Sequence, residues 1–312
     1  MVLWYPDRPR TVEAVLRSAF LLLATLVALT ACAGCSDDAE PAPLPAHGVG
    51  EPTGGASPVL RYVALGDSYT AAPLVPPTDT STVCLRSRRN YPALVTEAVP
   101  GARLTDVSCS GATTLNATTP QQSPTGAVPP QLRAVRRNTD VVTIGLGGND
   151  ESLFGTLLGR CTELATQDPQ GRPCTDELED GIDGTLDRIR DNLVAVVARV
   201  RRRAPDAQVL LVGYPQIVPA SGTCPDLPLA AGDYPFVRTV NERLTRAVAQ
   251  AAAAADAEYV DVWTPSAGHD ICGAEPWING RVTKVAQALA YHPLAVEQEA
   301  VADLVLDLVR TP

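Results

Sequence analysis

Apolar residues fall along this chain in two textures, short dense runs and longer periodic ones. The dense runs cover residues 59–65, 103–107, 140–146, 208–212 and 258–262. They are closed by Gly, Pro or small polar residues, and they predict strands, the first of them buried on both faces as in a parallel sheet. Helical spacing lies between them. Leu186, Ile189, Leu193, Val196, Val197 and Val200 make one face of a long amphipathic helix that Pro205 stops. Residues 235–255 form a second, alanine-rich helix. Shorter helices are predicted at 90–99 and 131–137, and residues 281–290 are helix-prone. A final helix runs from Pro293, with Leu294, Val301, Leu304, Val305 and Leu308 on its buried face. Residues 151–181 look like an insertion.

Strands therefore alternate with helices from residue 59 to the end. That order predicts an α/β fold, with a parallel, flavodoxin-like sheet in a three-layer α/β/α sandwich. In such sheets ligands bind outside the carboxyl ends of the strands. Three strand ends carry polar elements: Gly66-Asp67-Ser68, the small-residue run 108–113 around Gly111, and Gly147-Gly148-Asn149-Asp150. Taken singly, the serine reads as a nucleophile or a helix cap, and the Gly-Asn pair as a site amide or a plain turn.

The first 58 residues have a different texture. Arg8, Arg10 and Arg17 precede an apolar run at 19–29, the length of a signal-peptide core and short for a membrane span. The run ends in Leu29-Thr30-Ala31-Cys32, which resembles the lipobox of bacterial lipoproteins. Residues 1–31 are thus expected to be a lipoprotein-type signal peptide, with Cys32 lipidated and anchored in the membrane. Residues 32–57, rich in Ala, Pro and Gly, read as a flexible tether of roughly 25–30 Å r.m.s. span, which leaves 58–312 as the folded domain. His47 lies in that tether and is discounted as a catalytic residue.

Charge and cysteine usage narrow the partners. The formal net charge is −10, and the short cluster Arg201-Arg202-Arg203 ends a predicted helix, where cations suit the macrodipole. Nucleic-acid binding is not expected. No metal-ligand spacing occurs, so no cofactor is implied. Cys84, Cys109, Cys161, Cys174, Cys224 and Cys272 remain behind the export signal, an even number that implies disulfides. Six cysteines admit many pairings. Pairing neighbours in sequence is one hypothesis, and it would staple three long connections rather than the core.

With Gly66-Asp67-Ser68, Gly111, Gly147-Gly148-Asn149-Asp150 and His292-Pro293 in that order, residues 59–312 resemble the SGNH/GDSL hydrolase family. The resemblance implies that Ser68 is the nucleophile and His292 the general base and then acid. It implies an oxyanion hole made of the backbone N–H groups of Ser68 and Gly111 and the side-chain amide of Asn149. It also implies the pairs Cys84–Cys109, Cys161–Cys174 and Cys224–Cys272, as in secreted actinobacterial esterases and lipases of the family. One block departs from the pattern. The family's last block is commonly DxxH, and here Leu289 stands three residues before His292. A Ser-His dyad is therefore expected, with a backbone carbonyl such as that of Leu289 orienting the imidazole. His269 is the rival base, and Asp67 and Asp150 are expected to bond local backbone. Pocket walls are expected from residues 71–88, 114–130 and 151–181. The implied activity is hydrolysis of small-molecule or lipid esters through an acyl-enzyme, by a secreted or membrane-tethered serine esterase or lipase. Polysaccharide deacetylation, acyl transfer and an idle ligand-binding lipoprotein are the alternatives. Oligomeric state is not legible.

Overall fold

Five parallel strands make the sheet: β1 (Arg61–Gly66), β2 (Arg103–Asp106), β3 (Val141–Gly145), β4 (Gln208–Val212) and β5 (Glu258–Val260), in spatial order β2-β1-β3-β4-β5. The computed structural model describes residues 59–310. The expected leader (1–31), the tether (32–57) and Cys32 lie outside the described residues. No helix among the described residues is long and apolar enough to cross a membrane.

The two-residue period of a strand explains why the central strands are apolar throughout. Tyr62 and Ala64 of β1 face one layer, and Val63 and Leu65 face the other. The first layer holds α1 (Tyr91–Ala98) against the final helix. The second holds α2 (Ile182–Arg203) against α3 (Tyr234–Ala254). Helix α2 buries Leu186, Ile189, Leu193, Val196, Val197 and Val200, the face read from spacing. The final helix α4 spans Ala295–Leu306.

Several expectations need correction. Residues 281–290 are not helical; they form a tight reversal closed by an antiparallel bridge between Lys284 and Ala288. Helix α4 begins at Ala295 rather than Pro293, because residues 291–294 are engaged in other pairing described below. The helix predicted at 131–137 shrinks to one 3-10 turn, Gln131–Arg133. Residues 151–181 fold as a series of short helices. The three disulfides are Cys84–Cys109, Cys161–Cys174 and Cys224–Cys272. They do not merely staple surface connections: Cys84, Cys109, Cys161 and Cys174 are all buried in the main core.

Candidate active site

The chain turns sharply after β1. Asp67 caps the one-turn helix Ser68–Ala71, its carboxylate accepting the Tyr69 N–H at 2.8 Å. So Ser68 is the first helical residue and Asp67 is the cap. The junction is clamped from two sides. The Gln131 amide makes two hydrogen bonds to Gly66, accepting its N–H at 2.9 Å and donating to its carbonyl at 2.8 Å. The Asp67 N–H reaches the Gly145 carbonyl at the end of β3. Gly66 is obligatory here, since a Cβ would run into the Thr70 side chain.

Beneath the serine lies a buried polar chain. The Tyr214 hydroxyl donates to Asp67 Oδ2 at 2.6 Å and accepts the Gly148 N–H at 2.8 Å. Burial pushes the Asp67 carboxyl up to about 7, against the lowering effect of the Tyr214 and Tyr69 donors. This chain links the loops after β1, β3 and β4. Sequence reasoning missed Tyr214, whose only signal is its place just past β4.

The other two strand ends converge beside it. Gly111 has φ +77°, a left-handed conformation suited to glycine, in the loop after β2. The Asn149 side-chain amide donates to the Ala112 carbonyl at 3.0 Å, tying the β3 end to the Gly111 loop. One Nδ2 hydrogen is left for another acceptor. Neither the Ser68 nor the Gly111 N–H donates to an acceptor among the described residues. Contrary to expectation, the Asp150 carboxylate bonds no local backbone among the described residues: it accepts from the Thr114 N–H at 2.8 Å, from the Thr114 hydroxyl and from Asn192 Nδ2 at 3.2 Å, all distant in sequence.

His292 arrives on irregular chain. Residues 277–280 pair antiparallel with 291–294: Leu294 N–H to Trp277 carbonyl, Asn279 N–H to His292 carbonyl and Tyr291 N–H to Gly280 carbonyl. Tyr291 has φ +62°, a strained value for a bulky residue. The Tyr69 hydroxyl donates to the Tyr291 carbonyl at 3.0 Å, and the Tyr69 and His292 rings lie with centroids 5.9 Å apart. The residue after Ser68 is therefore in contact with the His292 segment.

His292 Nδ1 is 2.7 Å from the Ala290 carbonyl. A carbonyl only accepts, so Nδ1 carries the proton and Nε2 keeps its lone pair. The acceptor is Ala290 rather than Leu289 for a local reason. The Leu289 carbonyl already receives the His292 N–H at 3.3 Å and the Asn279 amide at 2.9 Å. Burial lowers the His292 pKa from its ordinary value, and the Ala290 bond offsets part of that. Glu297, in the first turn of α4, is also buried; its carboxyl is pushed up to about 8, with Gln298 donating to it at 2.6 Å. His269, by contrast, stacks on Trp277 with its Nδ1 at the Glu275 carbonyl. Among the described residues no cluster of His, Cys, Asp and Glu could hold a metal ion.

Known proteins resemble this chain in sequence and fold. Residues 64–295 match the profile of the GDSL-like lipase/acylhydrolase family. Lipase 2 of Streptomyces coelicolor is 39% identical over 269 residues, 81% of this chain and 87% of that protein. The crystal structure of an extracellular lipase from Streptomyces rimosus superimposes with a TM-score of 0.65 at 29% identity, covering 79% of this chain and 97% of the other. That of phospholipase A1 from Streptomyces albidoflavus gives a TM-score of 0.64 at 27% identity, covering 79% and 97%. With most of its folded length matched and its strand ends converging as described, this chain belongs to the GDSL-like lipase/acylhydrolase family of ester hydrolases.

Proposed function

We propose that the protein is an exported serine esterase that cleaves carboxylic esters, lipid esters among them, with a Ser68–His292 dyad. The observation that carries this reading is the 2.7 Å contact between His292 Nδ1 and the Ala290 carbonyl. It fixes the tautomer that a carboxylate would otherwise fix, and it leaves Nε2 as the base. Nε2 takes the Ser68 Oγ proton as Oγ attacks the ester carbonyl, then returns it to the leaving alcohol; water repeats the cycle on the acyl-enzyme. The Ser68 and Gly111 N–H groups and the free Asn149 hydrogen receive the oxyanion. A lowered His292 pKa suits this role, because the neutral imidazole is the active form at neutral pH.

Lipid esters are favoured by where apolar surface is exposed. Among the described residues the exposed large apolar ones are Leu115, Val282, Val285 and Val296. Leu115 follows Gly111 by four residues, and the valines flank His292 in sequence. The relatives named lipase, and the structural neighbour named phospholipase A1, point the same way. Three disulfides fit export to an oxidising compartment. Tethering to the membrane through a lipid on Cys32 is part of the same reading.

The test is hydrolysis of p-nitrophenyl esters from acetate to palmitate by the wild type, Ser68→Ala and His292→Ala. Both variants are expected to lose about 10⁴-fold or more in kcat, and a fluorophosphonate should label Ser68 in the wild type alone. Activity that survives either substitution would overturn the assignment.

A further inference from the structure

On a chain of net charge −10, arginines are expected to find carboxylates, and ten described arginines do. The other eleven described arginines have no carboxylate within 4.0 Å among the described residues, and four of these, Arg133, Arg199, Arg202 and Arg203, are gathered in one place. All four line one cleft of about 500 Å³, together with Thr118, Pro120 and Pro130. Arg199, Arg202 and Arg203 stand at i, i+3 and i+4 of α2, on one face, where like charges repel. The helix macrodipole accommodates cations in the last turn. It does not account for Arg133, which comes from the separate 3-10 turn Gln131–Arg133 and faces the same space.

The cleft is not isolated. A second groove of about 460 Å³ shares Thr118 and Arg199 with it and extends to Thr113 and Asp150. These flank Gly111 and Asn149 in the chain. Asn192 of α2 meets Asp150 at 3.2 Å. Counting along the helix axis, Arg199 lies about 10 Å and Arg203 about 16 Å beyond that contact. The two grooves thus run from the oxyanion side of the site to the arginines.

We propose that the arginine cleft binds a phosphate group, as a mono- or diester, of a ligand that lies along α2. Guanidinium forks pair with phosphate oxygens in parallel hydrogen bonds, and a phosphate offers enough acceptors for several of them. An anion there removes the mutual repulsion of the three helical arginines. A free phosphate compound and a phospholipid head group share this chemistry. The inference concerns binding and stands apart from the hydrolytic reading, so it is measured without turnover.

The intact protein is titrated calorimetrically with inorganic phosphate in chloride-matched buffer. It is also sedimented with vesicles of phosphatidylcholine alone and of equimolar phosphatidylcholine and phosphatidylglycerol. The variants are R199Q/R202Q, Arg133→Gln outside the helix, and R188Q/R190Q, which removes the same charge from paired positions of α2. Every variant keeps the same N-terminus, so an N-terminal lipid contributes equally to all. Near-UV circular dichroism reports folding, and Arg133→Gln carries the test if the double variant does not fold. Cleft substitution should weaken phosphate, or the preference for phosphatidylglycerol vesicles, about tenfold, with R188Q/R190Q changing either by less than about twofold. Cleft-dependent phosphate binding supports the site with a free phosphate compound as ligand. Cleft-dependent vesicle binding without it supports the site with a head group as ligand. The proposal is overturned if neither probe depends on the cleft, or if R188Q/R190Q loses as much as R199Q/R202Q.

Discussion

The Ser68 segment and the His292 segment meet at one site but are built differently. Ser68 stands two residues past β1, where the turn is held by the Gln131 clamp, the Asp67 cap and the Tyr214 chain. Each support comes from a strand end or a buried residue packed under the sheet edge. His292 has no regular element of its own. It is held by backbone pairing of 277–280 with 291–294, by the Asn279 amide reaching the carbonyls of Val282, Ala288 and Leu289, and by a left-handed Tyr291. A left-handed backbone costs about 1–2 kcal/mol for a residue with a Cβ. Here the Tyr69 hydroxyl and the Gly280 carbonyl bond that residue's backbone and offset the strain. The supports named for the Ser68 half lie outside residues 277–294, whereas the His292 half takes one of its bonds from Tyr69. Substitutions in the two halves should therefore differ in kind.

The largest effect after loss of the dyad itself is expected in the nucleophile half. Asn149→Ala removes the proposed oxyanion donor and should lower kcat by about 10²–10³-fold with little change in KM. Because Asn149 also holds the Ala112 carbonyl, thermal denaturation should show a loss of about 1 kcal/mol. A comparable rise in KM instead would mean that Asn149 binds the ground state.

Tyr69→Phe probes the link between the halves. It keeps the ring packing on Phe154, Tyr214 and His292 and removes only the hydroxyl that bonds Tyr291. The expected result is a drop of about tenfold in kcat, the scale of modest misplacement of a catalytic group. Stability should fall by only about 1 kcal/mol. If stability collapses with activity, the two halves form one cooperative unit and the contrast drawn above is wrong.

A pH dependence separates stability from catalysis. Burial raises Asp67 to about 7 and Glu297 to about 8. In the unfolded chain both return to ordinary values of about 4. Between those limits the native protein holds protons that the unfolded chain has released, so stability falls as pH rises. Their contribution is complete below about pH 4 and lost through pH 7 to 8. Melting should therefore occur at higher temperature at pH 5 than at pH 8, and Glu297→Gln should flatten the difference. The lowered His292 pKa has the opposite consequence for catalysis: kcat/KM should rise with pH to a plateau whose inflection lies below 6.5. A parallel rise of both curves would contradict the assignment of these groups.

The same division explains what could be read from the sequence. The strands, α2 and α3 follow from local apolar spacing, and the parallel sheet covered on both faces follows from their alternation with helices. Ser68, Gly111 and Asn149 were legible because strand ends deliver them. Residues 281–290 read as helix because Val282, Val285 and the alanines carry helical or apolar signals. The outcome there is set by Asn279, which gathers three carbonyls from a distance and draws the segment into a reversal. Tyr214 and Glu297 were silent for the same reason: their roles depend on which loops meet, and no local spacing encodes that. The arginines at the end of α2 were legible as a helix terminus. Their meeting with Arg133 was not.

The smallest expected effect concerns the position where this chain departs from the DxxH pattern. Leu289→Asp restores the carboxylate of that pattern. In a site whose histidine lacked an orienting acceptor, that change would raise kcat strongly. Here Nδ1 already donates to the Ala290 carbonyl at 2.7 Å, and the imidazole has one such proton to give. The Leu289 backbone is also fixed, its N–H on the Pro73 carbonyl and its carbonyl shared by Asn279 and His292. An aspartate would have to displace the Ala290 contact to act, exchanging one acceptor for another. We expect kcat/KM to change by less than about threefold at pH 8, since orientation is already supplied and a carboxylate adds only stabilisation of the imidazolium. A gain of about a hundredfold or more would show that the backbone carbonyl orients His292 poorly. The two halves of the site would then differ not in how they are held but in how well.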